Sequence, residues 1–187
     1  MIDFTAALAN GLSYSDYLEK HGTDAHRERW AGLHARIQLS ADQQQLISGL
    51  TRQIKMLCMA GAWCGDCVEQ CPILDHFAEA NSCIELRFVD RDDCGNLKDE
   101  LTICGGARVP VVLFANEDDQ IVSRFGDRTL AKYRQMAHDK LGDGCPTGLV
   151  PPADALTTAV TQHWLDELER VHLLLRMSPR LREKHGD

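Results

Sequence analysis

Residues 62–67 have the sequence Ala-Trp-Cys-Gly-Asp-Cys and follow the apolar run Ile-Lys-Met-Leu-Cys-Met at residues 54–59. The run predicts a buried strand, and a helix is expected to begin near Cys64. Two cysteines at positions i and i+3 of a first helical turn face each other, and the free backbone N–H groups there stabilise a thiolate. We therefore predict a redox-active pair, with the more exposed Cys64 as nucleophile and Cys67 as resolving thiol.

The residues around this pair resemble those of the thioredoxin superfamily. Trp63 precedes the first cysteine as in thioredoxins, and Pro72 occupies the place of their helix-kinking proline. The segment Arg108–Pro110 resembles the cis-proline loop of the family, and Gly126 stands where a family glycine ends a hairpin. All these features occur in the family's order. The Gly-Asp pair between the cysteines and the helical N-terminal extension resemble a less-studied bacterial branch.

The resemblance implies an α/β thioredoxin-like fold, a central mixed β-sheet flanked by helices, with extra N-terminal and C-terminal helices. It implies that the bond before Pro110 is cis, and that Val109 offers backbone hydrogen bonds to an extended substrate segment. Trp63 is expected to belong to the apolar platform around the site. An ordinary edge-strand proline is the alternative for Pro110, and plain packing is the alternative for Trp63.

Three further strands are predicted after the redox motif: residues 84–89, 109–114 and 121–125. The last two flank a short polar turn, so we expect them to form a hairpin. Residues 130–141 are predicted to form a closing helix, with Asp127 as a candidate N-cap. Together with the first strand and its helix, these elements place a thioredoxin-like domain at residues 53–142.

The segments on either side are predicted to be helical additions. Residues 1–52 form an extension that includes the first helix of the core, and Ser40 begins a capping box. Residues 143–187 form a loop with Pro151-Pro152 and a long C-terminal helix packed on the core. An apolar stripe follows that helix: Leu156, Val160, Trp164, Leu168, Val171 and Leu175. A partner-binding helix or dimer seam is the alternative for the stripe, and the oligomeric state stays open.

Two positions depart from the thioredoxin pattern. Thioredoxins have a buried aspartate six residues before the first cysteine, where this chain has Cys58, and a lysine partner where it has Leu86. Water or Asp66 is a candidate replacement for the missing acid. Gly65 and Asp66 occupy the family's redox-tuning dipeptide. We expect the Asp66 carboxylate to disfavour the Cys64 thiolate, which makes the couple more reducing and favours a reductase.

The remaining cysteines leave alternatives open. Cys71 extends the motif to a spacing that faintly resembles an iron–sulfur run, but no second CxxC or histidine pair accompanies it. Cys58 and Cys83 are expected to pack as small hydrophobes. An accessory redox pair is the alternative for Cys94 and Cys104. Cys145, in a loop beside glycine and proline, is a candidate for an exposed, oxidisable thiol. His76 is expected to be a surface or boundary residue rather than a catalyst.

The composition indicates which classes of partner are disfavoured and which cellular compartment is expected. The 187 residues include 20 Lys+Arg and 28 Asp+Glu, a formal charge of −8 that argues against an electrostatic grip on nucleic acid or anionic membrane. No stretch approaches the roughly 18 apolar residues of a membrane helix. The N-terminus lacks the features of a signal peptide, so a cytoplasmic location is expected. Cysteines in that reducing compartment are more often packed, metal-bound or redox-active than disulfide-bonded.

The sequence therefore predicts a thiol–disulfide oxidoreductase that reduces protein or small-molecule disulfides through a mixed disulfide. No P-loop or dinucleotide fingerprint occurs, so we expect no cofactor beyond the Cys64–Cys67 disulfide, and electrons from a separate reductant or reductase. The alternative is a redox sensor or protein-interaction module without turnover on the same fold. A metal-binding CxxC protein is the remote alternative.

Overall fold

The computed structural model describes residues 2–144, 150 and 155–187. Four helices precede the first strand: α1 Phe4–Ala9, α2 Tyr14–His21, α3 Asp24–His34 and α4 Ala41–Ser48. The central part alternates strands and helices: β1 Ile54–Ala60, α5 Gly65–Ala80, β2 Ile84–Asp90, α6 Leu97–Glu100, β3 Val111–Ala115, β4 Ile121–Gly126 and α7 Leu130–Leu141. A 3-10 turn and two helices complete the described chain: Gly142–Gly144, α8 Leu156–Met177 and α9 Pro179–His185. Cys145 and Pro151-Pro152 lie outside the described residues.

The four strands form one mixed sheet in the order β2-β1-β3-β4. β1 pairs with β2 in parallel, and β3 pairs antiparallel with β1 and β4. Every residue of β1 except Lys55 is buried, as is all of β3. Strands buried on both faces need cover on both sides of the sheet, which the helices supply. The predicted α/β fold with a mixed sheet and the predicted hairpin are confirmed.

The N-terminal helices pack on the β2 edge of the sheet and reach the redox motif. The ring of Tyr17 stacks on Phe88 of β2 with 5.5 Å between centroids. Trp30 of α3 is fully buried, and its indole N–H donates to the backbone oxygen of Ala62 at 2.9 Å. Leu12 forms an isolated bridge with Phe88. The extension therefore helps to fix the loop that precedes the cysteines.

The long C-terminal helix lies against the core. Five members of its predicted stripe are buried and a sixth, Leu156, is half-buried: Val160, Trp164, Leu168, Val171 and Leu175. α8 contacts α5 and α7, so the stripe faces the same unit that carries the redox motif. None of the helices in the described part of the chain has the length and apolarity to span a membrane.

Local predictions at the helix ends have mixed outcomes. The predicted capping box at Ser40 is present, with hydrogen bonds in both directions between Ser40 and Gln43. The expectation that Asp127 caps α7 is wrong: Thr129 is the N-cap, and its side chain accepts from the Lys132 N–H. The Asp127 carboxylate is instead held in ion pairs with its neighbour Arg128 and with Arg108 of the proline loop, and the pair with Arg108 is a tertiary contact.

Candidate active site

The two cysteines of the motif occupy the start of α5 with different exposure. Cys64 is the N-cap residue in extended conformation, and Cys67 lies in the first helical turn. The exposed fraction is 9% for Cys64 and 0% for Cys67. An N-cap position places Cys64 beside the free N–H groups of the first turn, which favour a negative charge. Both cysteines are free thiols, and of the two Cys64 alone retains exposed surface.

Hydrogen bonding couples the two thiols. Their shared hydrogen bond and burial raise the pKa of Cys64. Burial opposes a charge on Cys67, but hydrogen bonds from Cys64, Cys71 and the Gly61 N–H outweigh it and lower the pKa of Cys67 to about 5. The Gly61 N–H lies 3.4 Å from the Cys67 sulfur. Cys64 and Cys67 therefore release their first proton as a pair, and the accessible Cys64 sulfur is the one that can attack a substrate.

The proline loop lies directly against the first cysteine. The Val109–Pro110 peptide bond is cis, and the Cys64 thiol donates to the Val109 carbonyl at 3.7 Å. Gly126 closes the other side of this loop, with φ at +153°. A Cβ on Gly126 would collide with the Pro110 carbonyl, so the close approach requires glycine. The structure thus brings together Cys64, Val109 and Pro110, as the family resemblance implied.

Trp63 forms an exposed aromatic surface next to the thiols. Its side chain is 45% exposed, and the Arg91 guanidinium lies over the ring at 4.5 Å from the centroid. A Cβ at Gly61 would come within 2.8 Å of the indole, so the absence of a side chain there lets the ring lie over the backbone. Sequence reasoning missed Arg91. Arg91 reaches the motif because β1 and β2 are parallel and the residues after each strand meet at one edge, a pairing that the sequence pattern does not give.

Asp66 is turned away from the exposed thiol. Its carboxylate forms an ion pair with Arg128 at 2.5 Å, and Arg128 also contacts Asp127 at 2.9 Å. The Asp66 charge raises the pKa of Cys67 as a minor contribution. The Asp66 charge thus acts on the second thiol, and the Asp66 backbone N–H favours a thiolate at Cys64. The expected action of the Asp66 carboxylate on Cys64 stays a prediction. The neighbouring Gly65 has open space around it, with only an Arg29 nitrogen at 3.9 Å.

A buried amide ties the redox helix to the C-terminal helix and the hairpin. The Gln70 side chain donates to the backbone oxygens of Asp127 at 3.0 Å and Asp66 at 3.2 Å. Its own oxygen accepts from the indole N–H of Trp164 at 2.9 Å. Gln70 and Trp164 are both buried. Sequence reasoning missed Gln70, since a glutamine on a helix carries no signal of burial until its partners are known.

Behind the motif, further sulfurs occupy the interior. The Cys58 and Cys71 sulfurs lie 3.8 Å apart, and both side chains are fully buried. Cys71 also has a hydrogen bond with Cys67. Cys58 stands at the position of the missing aspartate, and the thiols of Cys58 and Cys71 lie behind Cys67. Water or Asp66 as the replacement for the missing acid stays a prediction. Leu86, at the position of the missing lysine, is buried on β2.

The other described cysteines make separate contacts. The thiol of Cys83 donates to the Leu50 carbonyl at 3.5 Å, and Cys94 contacts the Met59 sulfur at 3.8 Å. Cys104 is exposed, and all seven described cysteines are free thiols. The accessory pairing of Cys94 with Cys104 stays a prediction. Cys145 is outside the described residues.

One metal-ligand constellation occurs among residues 2–144, 150 and 155–187, and it contains no cysteine. His34, His76 and Glu79 bring one ligand atom each within 4.8 Å of the others. His76 lies within α5, is half-buried and stacks on the His34 ring at 4.0 Å between centroids, which agrees with the predicted surface or boundary position. The metal alternative for Cys64 and Cys67 stays a hypothesis.

Comparisons with known proteins agree with this architecture. A family model described as thioredoxin matches residues 11–139, more than half of the chain. No curated protein matches. A crystal structure of a Pseudomonas aeruginosa protein of unknown function is 18% identical, with a TM-score of 0.70 over 91% of this chain and 97% of that one. An HIV epitope scaffold is 16% identical, with a TM-score of 0.67 over the same shares. These two structures share the fold, flanking helices included.

Proposed function

The chain belongs to the thioredoxin superfamily, and on that premise we propose that it is a thiol–disulfide oxidoreductase that reduces protein disulfides. The observation that carries the proposal is the placement of Cys64. Its sulfur is the accessible member of a coupled thiol pair and contacts the Val109 carbonyl beside a cis proline. An extended substrate segment that binds along Val109 and Pro110 would bring its disulfide to this sulfur.

The proposed reaction passes two electrons to the substrate. The Cys64 thiolate attacks one sulfur of the substrate disulfide, the substrate S–S bond breaks, and the other substrate sulfur leaves and takes up a proton. Cys67 then loses its proton and attacks the Cys64 sulfur of the mixed disulfide. The second substrate thiol is released, and the Cys64–Cys67 disulfide remains. A separate reductant or reductase must return the two electrons, because the chain carries no dinucleotide fingerprint.

The environment of the pair supports the reducing direction. Burial and the hydrogen bond with Cys67 raise the pKa of Cys64, the attacking sulfur, whereas hydrogen bonds lower the pKa of the buried Cys67. A strongly oxidising couple needs a highly stabilised thiolate at the attacking cysteine, which Cys64 lacks. We expect a reduction potential closer to the roughly −270 mV of thioredoxin than to the roughly −120 mV of oxidising relatives.

The surface around Cys64 supports a protein substrate. The exposed Trp63 ring offers an apolar contact, and Arg91 above it offers a cation that favours the Cys64 thiolate and can bind a substrate carbonyl or carboxylate. Small-molecule disulfides are expected to react at the same sulfur. A cytoplasmic location belongs to the same proposal, because a dithiol reductase with several free cysteines suits a reducing compartment. The −8 formal charge supports the proposal that neither nucleic acid nor an anionic membrane is a partner.

The test is dithiothreitol-driven reduction of insulin disulfides, followed by turbidity. We expect turnover by the wild type, complete loss in Cys64→Ser, and full retention in Cys104→Ser, a matched control at an exposed cysteine outside the motif. Cys67→Ser should accumulate a mixed disulfide with substrate at Cys64. Reversible oxidation of the pair without insulin reduction would contradict the proposal and favour a redox sensor.

A further inference from the structure

Four sulfurs form a continuous row from the surface into the core. Cys64 retains some exposed surface, Cys67 and Cys71 follow it at successive turns of α5, and the Cys71 sulfur lies 3.8 Å from that of Cys58. The last three are fully buried. Cys58 belongs to strand β1 and the other three belong to helix α5 or its N-cap. The row therefore crosses from the redox helix to the central strand of the sheet.

The inner two sulfurs are close enough to bond. The Cys58 and Cys71 sulfurs are 3.8 Å apart, and a disulfide bond is about 2.05 Å long. The required approach is about 1.8 Å, which small shifts of a helix residue and a strand residue can supply. Oxidants in solution do not reach either thiol, since neither has exposed surface. Any oxidation of this pair must come through Cys67, the sulfur next to Cys71.

We propose that Cys58 and Cys71 form a second, internal dithiol that accepts the disulfide from Cys64 and Cys67. The inference rests on the proposed function, because that reaction generates the Cys64–Cys67 disulfide. In the first exchange, the Cys71 sulfur attacks Cys67, an S–S bond forms between them, and Cys64 leaves and takes up the proton that Cys71 lost. In the second, Cys58 attacks Cys71, and Cys67 leaves with the proton from Cys58.

The two exchanges conserve electrons and protons. One disulfide is consumed and one is formed, so no additional oxidant or reductant takes part. The chain regains a reduced Cys64–Cys67 pair and holds a Cys58–Cys71 disulfide in its core. A fully reduced chain therefore carries four reducing electrons and reduces two substrate disulfides before it needs an external donor.

The local helix geometry favours onward exchange over a resting Cys67–Cys71 bond. Residues four apart on a helix have Cβ atoms roughly 5–6 Å apart, beyond the roughly 3.8 Å typical of a disulfide. The bond between them is then a short-lived intermediate. Pro72 follows Cys71 inside α5 and has no N–H to donate to the carbonyl of Val68. The helix already lacks one hydrogen bond at the place where Cys71 must move.

The experiment counts electrons in a chain that keeps only these four cysteines. The other cysteines are replaced in one background: Cys83→Ser, Cys94→Ser, Cys104→Ser and Cys145→Ser. The reduced, desalted protein is mixed anaerobically with excess 5,5′-dithiobis(2-nitrobenzoate) in native buffer. We expect four thionitrobenzoate anions per chain, and a twofold lower release in the same background with Cys71→Ala. Peptide mapping after acid quench should locate a Cys58–Cys71 disulfide, in wild type as well.

Each other outcome contradicts a specific part of the reasoning. Release of two anions, with Cys58 and Cys71 alkylated only after denaturation, overturns the internal relay and leaves the proposed function intact. Absence of any Cys64–Cys67 disulfide overturns the proposed function together with the relay. A Cys58–Cys71 bond that still forms in Cys64→Ser overturns transfer through the row, because oxidation is then direct. If Cys71→Ala does not fold, the wild-type peptide map decides.

Discussion

Replacing Gln70 with leucine should destabilise the fold by breaking the link between the redox helix and the C-terminal helix. The Gln70 amide joins the Trp164 indole N–H to the backbone oxygen of Asp127 at distances of 2.9 and 3.0 Å. Gln70 and Trp164 are buried, so water does not replace the lost partner. The carbonyl of Asp66 loses only a supplementary donor, because it also accepts within the helix.

The expected magnitude follows from the two groups left without Gln70. A buried donor or acceptor that loses its partner costs about 1–3 kcal/mol. Two such groups, partly offset by the apolar burial of a leucine side chain, give an expected loss of about 2–4 kcal/mol in the free energy of unfolding. Gln162→Leu is the matched control, because Gln162 lies exposed on α8. We expect that control to change stability by less than about 0.5 kcal/mol.

The assay is urea denaturation under reducing conditions in a double-mutant cycle with Trp164→Phe. Once the indole N–H is absent, the loss of Gln70 should cost less, so the coupling energy should be about 1–2 kcal/mol. A cost of Gln70→Leu equal to that of Gln162→Leu, or a coupling near zero, would refute the claim that this buried hydrogen bond fastens α8 to α5.

Three further perturbations test the site and its surroundings. Gly126→Ala should cost more than about 2 kcal/mol in urea denaturation and reduce insulin turnover, because φ is +153° and the new Cβ meets the Pro110 carbonyl; wild-type behaviour would contradict the close packing. Arg91→Gln should slow iodoacetamide alkylation of Cys64 roughly two- to fivefold, since a cation that favours the thiolate is lost; an unchanged rate argues against that role. Burial and neighbouring arginines lower the pKa of His172, so the unfolded chain binds a proton that the folded chain does not. Stability should therefore fall as the pH drops below about 6.5, with a smaller fall in His172→Gln, and an equal fall in both would exclude this histidine as the source.

Local sequence patterns predicted most of the fold because its elements obey simple periodicities. β1 and β3 are apolar runs of strand length, and α8 carries its apolar residues at helical spacing. Each pattern therefore predicts both the type of element and the residues that it buries. Predictions that depended on a single polar side chain fared worse. Asp127 has the chemistry of a cap, yet its carboxylate is held by Arg108 of the proline loop as well as by its neighbours Arg128 and Tyr133, and Thr129 caps the helix. Tertiary partners decide such cases, and one-dimensional patterns do not contain them.

The candidate site follows the same division. Cys64 and Cys67 were predictable from spacing, because the chemistry of a dithiol requires two sulfurs on one helical turn. The contribution of Arg91 was not predictable, since its position over Trp63 depends on how β2 ends beside β1. The role of Gln70 was not predictable either, since its burial depends on the docking of a helix almost 100 residues away in sequence.

The change at Cys58 has a chemical consequence beyond packing. A buried aspartate behind Cys67 can only accept and donate protons. A thiol at that position is small and apolar enough to be buried at little cost, and it can also form a bond with another sulfur. Because Cys71 lies 3.8 Å away on α5, the substitution changes the residue behind the active site from a proton carrier into a potential electron store. Cys58→Asp in the four-cysteine background separates the two roles: it should restore a proton acceptor and halve the number of electrons delivered.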